Sequence, residues 1–274
     1  MAPAPVLLFL GACVLVRQGS PTADLEDELR QADRLVAGRA EEDRLGKALE
    51  ILRRLDARSP GDPEVLGRLS WVLYLRDEAL PEDGARRWEE GIAVGWACLD
   101  NARAFSAALD RNRGRVTDAV AGRIPTSHAT CALGLVAGWS RRVQASGPAA
   151  LAIDLDPLRA LADRAEALLA NTPEAAEAGR LAVRVRLLVP PVLGGNPARD
   201  GARLAEICGP DPAADPGCLV DLAVLAWGPS GDQARWAEAL TRAALAPSHP
   251  EPPEWARARQ QARDLLSSSE TRED

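Results

Sequence analysis

The chain is poor in the residue types that most often carry chemistry. Among 274 residues there are two histidines, one tyrosine, two phenylalanines and one methionine. Lys47 is the only lysine, so arginine supplies nearly all of the positive charge. With only His128 and His249 there is little to run general acid–base catalysis at neutral pH. His128 stands near a helix start and reads as a capping or core residue, while His249, between Pro247 and Pro250, reads as a solvated turn residue. G-x-S-x-G, the P-loop, H-E-x-x-H and G-x-G-x-x-G are all absent. No cysteine has a C-x-x-C partner, so the spacing expected of a structural zinc site is missing. Aromatics make up 4% of the chain, too few strand formers for a sheet. The net charge is −7, with no concentrated basic face, which argues against nucleic-acid binding. These absences predict a protein that is not an enzyme and needs neither cofactor nor metal.

What is present is helical rhythm. The sequence is 46% hydrophobic and 27% charged, rich in Ala, Leu and Arg. Leu25, Leu29, Ala32, Leu35 and Val36 share one helical face, and Leu45, Ala48, Leu49, Leu52 and Leu55 share a second. Ser59-Pro60-Gly61-Asp62-Pro63 is a stop followed by a start, with Asp62 as N-cap and Pro63 in the first turn. The pattern predicts one long helix over 83–109, another over 126–146, and starts at Asp156-Pro157 and Asn171-Thr172-Pro173. Further helices are expected near 197–208, 217–227, 232–246 and 252–266. Residues 20–31 read as a polar linker, and 267–274 as a disordered tail. The predicted organisation is a leader over 1–23, an all-α helical domain over 24–266, and that tail.

The sharpest local signal is Leu187 to Ile207. Pro190 and Pro191 remove two backbone donors and end a helix. Gly194 and Gly195 permit a tight reversal, Asn196 suits an N-cap, and Pro197 suits the first helical position. This is a stiff corner between two helices, a structural turn with no catalytic group in it.

Near the start, Val6 to Leu10 and Val14 to Val16 are apolar, too short and broken for a membrane span. Leu10-Gly11-Ala12-Cys13 resembles a bacterial lipobox, with Cys13 as the lipidation site. The departure is upstream, where no Lys or Arg precedes the apolar run although a signal normally has a basic start; an uncleaved or ordinary secretory leader, or one cut near Ala23, is the alternative. Cys98, Cys131, Cys208 and Cys218 remain, an even number that suits an oxidising compartment. Cys208 and Cys218 flank a Pro-rich loop between two helices and are the candidate disulfide; two buried thiols are the alternative.

Ligand binding is expected in a cleft formed by Trp96 and Trp139. Gly95 and Gly138 adjoin them, and missing side chains there open room beside flat aromatic surfaces. With no convergent charge evident, the expected ligand is small and hydrophobic. Plain core packing of both rings is the competing reading. Glu41-Glu42 and Glu89-Glu90 read as solvated charge.

Ala48, Leu52 and Pro60 resemble the second half of a tetratricopeptide repeat. Gly95-Trp96-Ala97, then Cys131 to Trp139, then Leu155-Asp156-Pro157, then Val189 to Pro197 follow in an order that resembles a known family. It is the T component associated with tripartite ATP-independent periplasmic (TRAP) transporters. That family usually has Asp where this chain has Asn196, a swap that keeps the cap and drops a charge. The resemblance implies a tetratricopeptide-like α-superhelix of antiparallel helix pairs, lipidated and on the periplasmic side of a bacterial membrane. It also implies a homotrimer, a partner in the periplasmic solute-binding subunit, and a small hydrophobic ligand. A generic tetratricopeptide scaffold at the cell envelope is the alternative.

Overall fold

A computed structural model describes residues 21–41, 43–80, 88–209, 215–246 and 251–270. The leader and Cys13, His249, the loop around Asp211-Pro212 and the last four residues lie outside them. Among the described residues the fold is all-α, with no strand. The helices are α1 (Pro21–Ala37), α2 (Arg44–Arg58), α3 (Pro63–Ala79), α4 (Glu89–Asp100), α5 (Arg103–Arg111) and α6 (Asp118–Ala121). After them come α7 (Ala129–Ser146), α8 (Pro148–Leu169), α9 (Ala175–Leu187) and α10 (Pro197–Cys208). α11 (Pro216–Asp221) passes through a π-turn (Leu222–Trp227) into α12 (Gly228–Ser230), and α13 (Gln233–Leu245) and α14 (Pro253–Glu270) follow.

The caps explain several boundaries. Asp62 accepts from the backbone N–H of Glu64 and Val65, and Asn196 accepts from that of Arg199. Each is followed by Pro at the first helical position, where its missing N–H costs nothing. Four expectations are corrected. The acidic stretch after residue 20 is already helical, because Leu29 and Ala32 bury against α2. The long helix breaks at Asn101-Ala102, letting α5 turn away with Phe105 buried. Asp156-Pro157 does not start a helix: α8 begins at Pro148, after Gly147 at φ 84°, and carries Pro157 inside it. Burial of Leu155, Leu158 and Leu161 along one face outweighs the backbone bond that proline forfeits. Finally, α14 runs to Glu270, so the predicted tail begins as helix.

Two buried clusters meet at α3. Val65, Leu69, Val72 and Leu73 face α1 and α2, while Leu66, Tyr74 and Leu75 face the larger core. A helix buried on two sides is apolar nearly all round, as α3 is. α7 lies in the middle of the larger core, against α3, α4, α8 and α9. At the far end α14 packs on α11 and α13 and returns to α3. Arg39 donates to Glu254 at 2.6 Å, tying the α1–α2 turn to α14. Helices from the two ends of the chain therefore enclose a common space.

Candidate functional site

That space is a cavity of about 610 Å³, within the range of small-ligand sites. α3 contributes Trp71, Tyr74, Leu75 and Glu78, and α7 contributes Arg141 and Gln144. Arg180 comes from α9, Asp221 from the end of α11, and Arg257 and Gln261 from α14. The site is assembled from helices far apart in sequence.

One wall is apolar. Trp71 and Tyr74 lie one helical turn apart with ring centroids 5.2 Å apart, and Trp88, Val220, Val224 and Leu225 extend the surface. Val224 and Leu225 sit in the π-turn, a local widening of the helix that follows directly on Asp221.

The rest of the lining is charged and internally paired. Arg141 Nη1 donates to Asp221 Oδ1 at 2.9 Å, and Arg141 also holds Glu78 at 2.9 Å. Arg180 pairs with Asp215, and its second terminal nitrogen lies 3.6 Å from Asp221 Oδ2. Arg184 is wholly buried behind the wall. It donates to Gln144 Oε1 at 3.1 Å and lies 3.8 Å from Asp221 Oδ2. Asp221 thus faces three guanidinium groups. Burial pushes its carboxyl up, but Arg141, Arg184 and Arg180 outweigh that and hold it down at about 2. Burial likewise opposes the charge on Arg141 and Arg180, and their carboxylate partners keep both pKa values above the ordinary arginine range. Burial raises Glu254, against the opposing pull of Arg39. Among the described residues the lining holds no His, Cys, Ser, Thr or Lys.

The cleft expected at Trp96 and Trp139 is corrected. The rings do meet, with centroids 5.5 Å apart and planes tilted by 59°, but neither lines the cavity. Their glycines open no room. A Cβ at Gly95 would lie 2.8 Å from Leu135 Cβ, and one at Gly138 would lie 3.2 Å from Ile92 Cγ1. Gly95 and Gly138 are where α4 and α7 approach each other, so the small residues serve close packing. Trp139 is buried and donates from Nε1 to Asp154 at 2.9 Å.

The corner Gly194, Gly195, Asn196 and Pro197 falls where expected, with Gly194 at φ 91° after a short 3₁₀ turn. It lies away from the cavity lining. Cys208 and Cys218 are bonded, with Cα atoms 5.8 Å apart, and the bond anchors α11 just before Val220 and Asp221. Cys98 and Cys131 form a second bond, joining α4 to α7. His128 is buried at the head of α7, its Nδ1 3.0 Å from Ser127 Oγ, and burial lowers its pKa.

Sequence reading missed Arg141, Arg180, Arg184 and Asp221, treating the chain's charges as scattered over solvated faces. A signal was present: Asp221 stands alone in Leu219 to Trp227, an otherwise uncharged apolar run, and Arg184 interrupts Leu181 to Val185. A charge inside an apolar run must find a partner when the run is buried. Among the described residues no helix is long and apolar enough to cross a membrane, and no group of three or more candidate metal ligands occurs. No family model and no curated protein matches the chain.

Proposed function

We propose that this chain is an exported helical binding protein, a tetratricopeptide-like superhelix of antiparallel pairs whose ligand sits in the cavity between α3, α7, α9, α11 and α14. The observation that carries this reading is the cavity itself, lined by aromatic rings and by buried, mutually paired charge. Buried ion pairs are expensive to desolvate and seldom a net gain in stability, so retaining several around one space favours a recognition role. Two disulfides favour an oxidising compartment and hence export.

Within that class we propose an accessory component of a TRAP-type transport system, working beside a periplasmic solute-binding subunit. The resemblance of the Val189–Pro197 corner and of the Gly95-Trp96-Ala97 and Cys131–Trp139 segments supports this step. The test is native mass spectrometry of the full chain purified from the cell envelope, alone and mixed with the solute-binding subunit of a TRAP transporter from the same genome. A trimer that carries a co-purified small molecule and takes up the subunit is expected. A monomer that ignores the subunit would remove the transport assignment.

A further inference from the structure

The reading of the cavity as a binding site leaves its ligand class open, and the wall chemistry narrows it. Four arginines and five carboxylates line the space, and buried Arg184 stands directly behind. With Arg184 counted, positive and negative groups are equal in number, and Arg39, Arg141, Arg180 and Arg184 are already paired with carboxylates among them. A ligand carboxylate would have to displace Glu78 from Arg141 or Asp215 from Arg180. A ligand ammonium placed at Asp221 would meet Arg141, Arg180 and Arg184 together. A purely apolar ligand would strip water from these groups and return no hydrogen bond, a costly exchange.

What the wall still offers is hydrogen bonding of both kinds. Asp221 is 3% exposed and lines the cavity, and its Oδ2 makes no hydrogen bond. The nearest arginine nitrogens stand 3.6 and 3.8 Å away, beyond good hydrogen-bond reach. Among the lining residues Arg180 Nε is likewise buried without an acceptor, and Glu254 Oε2 without a donor. An ammonium only donates and a carboxylate only accepts, whereas a hydroxyl does both. Half-buried Trp71 supplies an apolar ring face beside these polar groups, while buried Tyr74 packs against it, ring centroids 5.2 Å apart, and takes a hydrogen bond from Arg184 Nη1 at 3.4 Å.

We propose that the cavity takes a neutral polyhydroxylated ligand of the saccharide or cyclic-polyol class. The apolar C–H face of its ring rests on Trp71, and its hydroxyls reach Asp221, Arg180 and Glu254. Gln144, whose Oε1 is held by Arg141 and Arg184, adds a donor, and Gln261 adds an amide that can donate or accept.

The experiment is titration of the full chain, followed by tryptophan fluorescence and saturation-transfer NMR. The probes are glucose, trehalose, myo-inositol, glucuronate and decanoate. Saturable binding of at least one of the first three is expected, with glucuronate and decanoate weaker. Trp71→Ala should weaken that binding roughly tenfold, about 1.4 kcal/mol. Gln261→Ala, at the exposed rim, should weaken it without changing the circular dichroism spectrum, which guards against a Trp71 variant that fails to fold. Tighter binding of glucuronate or decanoate, still lost in Trp71→Ala, would overturn the polyol assignment while leaving the cavity as the site. Binding of none of the probes, or binding indifferent to both substitutions, would overturn both.

Discussion

Arg141 Nη1 and Asp221 Oδ1 are 2.9 Å apart, and through that pair α7 in the middle of the core is joined to the end of α11. Asp221 is the carboxylate that Arg141, Arg180 and Arg184 share; Arg141 also holds Glu78 and Arg180 also holds Asp215, so Arg184 depends on Asp221 most. Asp221→Asn should therefore cost about 3–5 kcal/mol at neutral pH, because it takes the counter-charge from wholly buried Arg184 and a shared one from Arg141 and Arg180. The acid limb follows from the depressed pKa. A carboxyl held at about 2 in the folded chain contributes stability above its unfolded pKa and loses it as pH falls from about 4 towards 2. A shift of that size is worth about 2 kcal/mol. Denaturant unfolding of wild type and variant between pH 7 and 2 should show the gap between them narrowing across that interval. A gap of constant size would mean that Asp221 is not held as a buried anion.

The two disulfides should differ in worth. In the chain-entropy picture the Cys208–Cys218 bond, closing a separation of 10 residues, is worth about 3 kcal/mol, and Cys98–Cys131, closing 33, about 4 kcal/mol. Peptide mapping of envelope-derived protein without reductant should recover both cross-linked pairs. Cys218→Ser should lower stability and loosen the cavity side of α11, read as faster hydrogen exchange at Val220 and Asp221. Free thiols at Cys208 and Cys218 in that preparation would contradict the first bond.

Helix stops and starts were legible in the sequence because they are local. Asp62-Pro63 and Asn196-Pro197 each carry a cap and a first-turn proline within a few residues. The same rule misled at Asp156-Pro157, where three buried leucines on one face outweigh one lost backbone bond. The site was not legible, because its walls are brought together from helices distant in the chain. Arg141 and Asp221, 80 residues apart, look like two ordinary charges until α7 and α11 are placed side by side. Trp96 and Trp139 were correctly read as neighbours, but whether a glycine beside a ring makes room or closes it depends on the opposite helix. Here Leu135 and Ile92 fill the space.

That seam gives a graded test. A Cβ at Gly95 would fall 2.8 Å from Leu135 Cβ and 3.0 Å from its Cα, and one at Gly134 would fall 2.9 Å from the Trp71 backbone nitrogen. Backbone and Cβ positions cannot swing aside, so Gly95→Ala and Gly134→Ala should each cost roughly 1–3 kcal/mol through helix separation. At Gly138 the near neighbour is Ile92 Cγ1 at 3.2 Å, a side-chain atom that can shift, and Gly138→Ala should cost less than either. Thermal melts of the three variants read the order directly. Equal melting temperatures for all three would mean that α4 and α7 are not in close contact with each other or with α3.

The corner after α9 offers the last test, because three adjacent residues hold it by three different means. Gly195 is enclosed: an added Cβ would lie 1.8 Å from the Val189 carbonyl oxygen, so the turn must open. Gly194 meets nothing within 4 Å but sits at φ 91°, where a side chain costs about 1–2 kcal/mol in backbone strain alone. Asn196 caps α10 by accepting from Arg199 N–H at 2.9 Å, and its loss should cost about 1 kcal/mol. Val192, two residues before them, is 90% exposed, so no core burial blurs the comparison. The expected order of destabilisation is Gly195→Ala first, then Gly194→Ala, with Asn196→Ala close behind. Urea midpoints give the order, and Gly195→Ala should in addition expose the Val192-Leu193 peptide to limited proteolysis. If Gly195→Ala is tolerated as well as Asn196→Ala, the chain does not reverse against the Val189 carbonyl and the corner has another geometry.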